Sequence, residues 1–119
     1  RQQAVRKKLQ VTGSLKGKQI IVVDDSVVRG NSMREVVRML REAGAAGVHV
    51  RVASPPVVNV CHWGVDIPDV EELFAGTEAP TAERLEANSL EYLPKGTLEE
   101  LTGPGWCRAC FSPAAAASE

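Results

Sequence analysis

The chain lacks any marked charge imbalance: 14 Lys and Arg stand against 15 Asp and Glu, for a net charge of −1. That balance argues against a broadly basic nucleic-acid binder. Long apolar runs are lacking as well, and none approaches the ~18 residues a membrane span needs. No charged-then-apolar leader opens the sequence. The expectation is a soluble cytoplasmic protein with neither nucleic acid nor membrane as partner. Aromatics are scarce, at two Trp, one Tyr and two Phe. Neither a Gly-Lys-Ser/Thr phosphate loop nor a G-x-G-x-x-G dinucleotide fingerprint occurs. The chain opens on Arg rather than Met, with no cap or turn signal, which reads as a fragment of something larger.

What is present fits one domain of 119 residues with 44% apolar side chains, enough for a core. Residues 1–10 carry Arg1, Arg6, Lys7 and Lys8 with few apolar neighbours, the composition of a solvated, mobile arm. "LKGK" at 15–18 is a turn. "QIIVVD" (19–24) is a continuous β-branched run, suited to a strand buried on both faces of a parallel sheet. Residues 32–43 read as a helix, with Ser32 and Glu35 as a capping box. Met33, Val36, Val37, Leu40 and Ala43 share one face, and Arg38 and Glu42 pair on another. Gly44 is the expected stop. "GVHVRVAS" (47–54) alternates as a second strand, which completes a βαβ crossover. Beyond it the texture turns irregular. Short helices are predicted near 69–75 and 80–87, a short strand at "SLEYL", and a helical turn capped by Thr97. The organisation expected is 1–18 as arm and turn, 19–54 as the βαβ unit, 55–111 as helices and cysteine loops, and 112–119 as a frayed tail.

The stretch "IIVVDDSVVRGNS" (20–32) carries the strongest chemical signal. In open α/β sheets, ligands bind beyond the carboxyl ends of strands. Asp24 and Asp25 lie at such an end, and Ser26 to Ser32 lead to a helix N-terminus, whose unpaired N–H groups and dipole suit a phosphate. Gly30 allows close backbone approach. Adjacent carboxylates suit the vicinal hydroxyls of a ribose or a hydrated divalent cation. The bland alternative, an Asp that merely caps a helix or starts a turn, fits a lone Asp better than this pair.

Three cysteines are present, Cys61, Cys107 and Cys110, the last two as Cys-x-x-Cys. Without a secretory marker, metal or redox chemistry fits them better than disulfides. Three thiolates are one short of a tetrahedral Zn site or a four-iron cluster. His62 adjoins Cys61 and is badly placed to ligate the same ion; His49 reads as a strand residue. Trp63, Trp106 and Phe111 flank the cysteines and suggest an apolar jacket. Small buried hydrophobes are the alternative for the cysteines, and a weaker one inside a Gly/Pro loop.

"VVDDSVVRGNS" resembles the phosphoribosyl pyrophosphate (PRPP) motif of type I phosphoribosyltransferases. The longer "KGKQIIVVDDSVVRGNSMREVVRMLREAGAAGVHVRVASPPV" is similar to one family among them, the glutamine PRPP amidotransferases or amidophosphoribosyltransferases, and the likeness runs from "VRKKL" to "CRACF". The resemblance implies an α/β fold: part of a type I phosphoribosyltransferase domain with a mainly parallel sheet, plus an irregular Cys-bearing C-terminal tail. It implies that Asp24 and Asp25 serve the ribose hydroxyls and Mg²⁺ of PRPP. Ser26, Val27, Val28, Arg29, Gly30, Asn31 and Ser32 would cradle the 5-phosphate. Lys8 matches a lid lysine that reaches the pyrophosphate. Cys61, Cys107 and Cys110 match three ligands of the [4Fe–4S] cluster found in one branch of the family.

The implied partners are PRPP, ammonia from a glutaminase domain that this chain does not contain, and further copies in a homotetramer. The implied reaction is the first step of purine biosynthesis. One departure stands out: the family usually has Thr-Thr-Ser where this chain has Asn31, Ser32 and Met33, so one hydroxyl is lost and one is replaced by an amide. Two rivals remain. A nucleobase phosphoribosyltransferase would share residues 19–53 but not the cysteines. A non-catalytic module would hold Zn on them.

Overall fold

The computed structural model describes residues 2–67 and 69–113, which leaves Arg1 and the tail expectation for 114–119 outside the described residues. In chain order it has α1 (Gln2–Lys8), β1 (Gln19–Asp24), α2 (Asn31–Glu42), β2 (Gly47–Val52), β3 (Ser89–Tyr92) and α3 (Lys95–Thr102). The three strands form one sheet in the order β1-β2-β3. The register is parallel. The Asn88 N–H donates to the Val48 carbonyl (2.8 Å) and the Leu93 N–H to the Val52 carbonyl (3.0 Å), so both strands advance together. Asn88 also accepts the Val48 N–H through Oδ1 at 2.9 Å and sets the start of that pairing.

The chain divides into two compact units. In the first, made of residues 1–24, 30–51 and 81–91, the alternation of β2 sends Val48 and Val50 into the core with Val37 of α2 and Leu85. Each such aliphatic side chain contributes about 1.5–3 kcal/mol on burial. The polar side of β2 is satisfied laterally: His49 Nδ1 meets Ser89 Oγ at 2.7 Å and its Nε2 meets Gln19 Oε1 at 2.9 Å. His49 therefore belongs to the sheet. In the second unit, whose described residues fall within 25–29, 52–80 and 92–113, the core is Val27, Val52, Val57, Leu73, Phe74 and Ala75.

Several local expectations yield to tertiary structure. β1 is not buried on both faces: Ile21 is 65% and Val23 70% exposed, because the face they share is left uncovered among the described residues. The basic arm is helical rather than free. Helix α2 begins at Asn31 with Gly30 as its N-cap in the left-handed region (φ 84°), and no side chain caps it. The Ser32–Glu35 box is not formed; Glu35 is instead a buried residue facing arginines. Arg38 and Glu42 do not pair with each other but with Glu86 and Arg6 respectively. Gly44, at φ 100°, follows the end of α2. The predicted helices near 69–75 and 80–87 shrink to single 3₁₀ turns, Val70–Glu72 and Glu83–Leu85. Helix α3 starts at Lys95 behind Pro94, ahead of the anticipated Thr97 cap.

Candidate PRPP loop and cysteine loops

β1 delivers Asp24 and Asp25 to its carboxyl end, where both residues are exposed. Ser26 Oγ donates to Asp25 Oδ1 at 3.2 Å. Val27 is buried, and the Val28 carbonyl accepts the Phe74 N–H at 2.8 Å. These contacts fix the middle of the loop by packing. Arg29 is half-buried, and Gly30 turns the chain into α2 through its positive φ. The first intrahelical bond runs from the Arg34 N–H to the Gly30 carbonyl at 2.9 Å, so the N–H groups of residues 31–33 precede it. A 12-residue helix with that open end is a favourable place for an anion.

The departure at 31–33 now has a physical account. Met33 is buried in the core, so this position can offer a ligand only its backbone N–H. Asn31 is exposed, and its Oδ1 lies 3.4 Å from Arg34 Nη1. Ser32 is exposed and is the remaining hydroxyl. Arg34, not singled out by the motif, also donates through Nε to the Arg84 carbonyl at 2.9 Å, which holds its charge within the first turn of α2. The only sequence signal for it was its place three residues into the helix.

Lys8 is exposed near the end of α1. Arg6, on the same helix, forms a two-pronged pair with Glu42 at 2.9 Å per bond and also donates through Nε to Glu35. Arg6 holds the Glu42 carboxyl below its ordinary range by this hydrogen bonding, and the Arg6 guanidinium is pushed up by the same contacts.

The cysteines all lie in the second unit. The Val58 and Asn59 N–H groups both donate to the Cys110 carbonyl, at 2.8 and 3.1 Å, which ties the Cys61 strand of loop to the Cys-x-x-Cys segment. Cys61 Sγ accepts the Trp63 N–H at 3.3 Å. Arg108 Nη2 donates to Thr102 Oγ1 at 2.9 Å and anchors the loop between Cys107 and Cys110. Burial pushes the Cys110 thiol up. The cysteines do not close into a metal cage: among the described residues, no group of three or more His, Cys, Asp and Glu is arranged to hold an ion. The aromatic jacket is open as well, with Trp63 81% and Trp106 68% exposed. As donors, the thiols of Cys61, Cys107 and Cys110 have the chemistry of thiolate metal ligands. The Asp24–Asp25 oxygens suit hydrated Mg²⁺.

Comparison with known proteins bears on the fold and the family. Residues 1–55 match the family model described as a phosphoribosyl transferase domain. An amidophosphoribosyltransferase of Synechocystis is 44% identical over 118 residues, covering 94% of this chain and 24% of that protein. One of Mycobacterium leprae is 46% identical over 122 residues, covering 93% of this chain and 22% of that protein. The solved Bacillus subtilis glutamine PRPP amidotransferase, complexed with ADP and GMP, superposes with a TM-score of 0.76 at 36% identity, covering 92% of this chain and 28% of that one. The parallel sheet with helices is thus that of a phosphoribosyltransferase-type α/β domain. More particularly, over most of its length the chain is a homologue of the amidophosphoribosyltransferases. It spans only 22–24% of those two relatives' length.

Proposed function

We propose that the chain is the PRPP-binding, C-terminal share of the phosphoribosyltransferase domain of an amidophosphoribosyltransferase. The observation that carries this reading is the carboxylate pair at the end of β1, followed by a packed loop and an uncapped helix N-terminus. In this reading the protein converts PRPP, glutamine and water to 5-phosphoribosylamine, glutamate and pyrophosphate, opening purine biosynthesis in the cytoplasm, as a homotetramer.

Asp24 and Asp25 would orient the ribose through its hydroxyls and hold Mg²⁺. The N–H groups after Gly30, with Ser26 and Ser32, would anchor the 5-phosphate at the far end. Ammonia from a separate glutaminase domain attacks the anomeric carbon; the C–N bond forms as the C–O bond to pyrophosphate breaks, and the electron pair leaves with the pyrophosphate. Mg²⁺ would supply charge neutralisation on that leaving group. Lys8 would add a further cation there, so the protein acts mainly by positioning and electrostatics. Cys61, Cys107 and Cys110 would hold a [4Fe–4S] cluster as a structural clasp of the second unit, with a fourth ligand from elsewhere.

Two results follow. Asp24→Asn and Asp25→Asn should each weaken Mg·PRPP binding about 10- to 100-fold, the loss expected for one hydrogen bond to a charged group. Titration calorimetry of the 119-residue chain checks this, and equal affinity in wild type and both variants would sink the reading. With glutamine as the nitrogen source, the chain alone should form no phosphoribosylamine, since the glutaminase half is not among its residues; glutamine-dependent turnover by it would overturn that division of labour.

The cluster has a built-in reporter. The only two tryptophans, Trp63 and Trp106, lie beside Cys61 and Cys107. Anaerobic loading with iron and sulfide should turn the chain brown and quench its fluorescence, and Cys61→Ser or Cys107→Ser should abolish both effects. A chain that stays colourless and binds Zn instead counts against the iron–sulfur assignment.

A further inference from the structure

Helix α1 is seven residues long. Helices below ~12–15 residues are marginal on their own, so α1 depends on its neighbour. Its apolar support is thin: Leu9 and Val11, just past the helix, approach Val36, Met39 and Leu40 of α2 around a hollow of about 180 Å³. Polar contact is stronger. The Arg6 guanidinium reaches Glu35 with Nε and Glu42 with both terminal nitrogens, spanning two turns of α2. Glu35 is only 3% exposed, so this carboxylate has little water to fall back on. Arg38 stands 3.8 Å from its other oxygen and 2.6 Å from Glu86. Arg6 and Lys8 are two residues apart, about 200° around the helix. With Arg6 turned onto α2, Lys8 is turned away from it and left exposed.

We propose that Arg6, through Glu35 and Glu42, is the positioning residue for Lys8: it fixes the azimuth of α1 on α2 and thereby where the Lys8 ammonium meets the pyrophosphate end of the ligand. This rests on the PRPP-binding function proposed above. Arg6 touches no ligand and acts only through the helix it anchors. Loss of Arg6 leaves Arg38 beside Glu35, so the buried carboxylate keeps a cation and the variants fold.

The test titrates the 119-residue chain with Mg·PRPP and, separately, with ribose 5-phosphate, which lacks the pyrophosphate. Arg6→Gln and Glu42→Gln should weaken Mg·PRPP binding about tenfold through mispositioning and leave ribose 5-phosphate binding unchanged. Arg6→Lys, which keeps the charge, should restore part of the loss. Hydrogen exchange across α1 should rise in the two Gln variants. If they bind Mg·PRPP like wild type while Lys8→Ala is weakened, the positioning role falls and the function stands. If they weaken both ligands alike, Arg6 is merely structural and the proposal falls. If Lys8→Ala and Asp25→Asn are silent too, the functional reading fails and takes this proposal with it.

Discussion

Gly76→Ala is expected to lower the melting temperature by on the order of 10 °C, from a destabilisation of about 3 kcal/mol by overpacking. A Cβ at Gly76 would stand 1.9 Å from the Val70 carbonyl oxygen, 3.0 Å from the Val70 carbonyl carbon and 3.1 Å from Leu73 Cβ. The first two obstacles are backbone and cannot rotate aside. That carbonyl already accepts the Leu73 N–H at 3.1 Å, and Leu73, Phe74 and Ala75 are all buried in the core of the second unit. Relief therefore requires either unpacking this run or opening the 3₁₀ turn at Val70–Glu72. Both movements reach the ligand loop, because the Phe74 N–H holds the Val28 carbonyl. Gly76→Ala should accordingly lower phosphate affinity along with stability. Gly96→Ala is the matched control. It lies in α3 with nothing within 4 Å of the added methyl, so it should stabilise by about 0.5–1 kcal/mol. Thermal unfolding followed by circular dichroism compares them, and equal melting temperatures for Gly76→Ala and wild type would refute the close approach.

The contrast between Gly30 and Gly76 shows what the sequence could and could not reveal. Gly30 was visible because its role is local: it sits between a β-branched run and an amphipathic helix, where a turn has to occur. Gly76 carries no such signal, since what forbids a side chain there is a carbonyl brought close by the fold. Glu35 shows the same limit from another side. Three residues after Ser32 it has the spacing of a capping box, but its partner Arg6 is 29 residues away, beyond any local window. Arg38 and Glu42 have helix-pair spacing, yet each meets a better-placed partner on another segment. β1 was legible as a strand from its β-branched run, while its exposed face depends on what lies beside it, which a single strand's composition does not encode. The cysteines were legible as a group through residue chemistry. The backbone bonds from residues 58–59 to the Cys110 carbonyl, which link the two cysteine-bearing segments, are ones that no spacing rule anticipates.

Gly30→Ala is expected to weaken ribose 5-phosphate binding by tenfold or more, whereas Ser32→Ala should cost about threefold at most. Met33 is in the core, and Asn31 is exposed with its Oδ1 3.4 Å from Arg34 Nη1. In the proposed site, recognition of the phosphate would rest on the backbone N–H groups that open α2, whose direction is set by φ 84° at Gly30. An L-residue held in that left-handed conformation costs about 1–2 kcal/mol. The variant can keep the conformation and carry the strain, or relax and turn the N–H fan off the phosphate. The second route loses binding at about 1.4 kcal/mol per tenfold and is favoured because the uncapped helix start offers no side-chain bond to oppose it. Calorimetric titration with ribose 5-phosphate separates the two routes: a melting temperature lowered with affinity intact means strain alone, and lost affinity means the fan has turned. If Ser32→Ala proves the more damaging of the two, hydroxyl recognition outweighs the backbone, and the chain reads its phosphate through the one side chain that kept the family's chemistry.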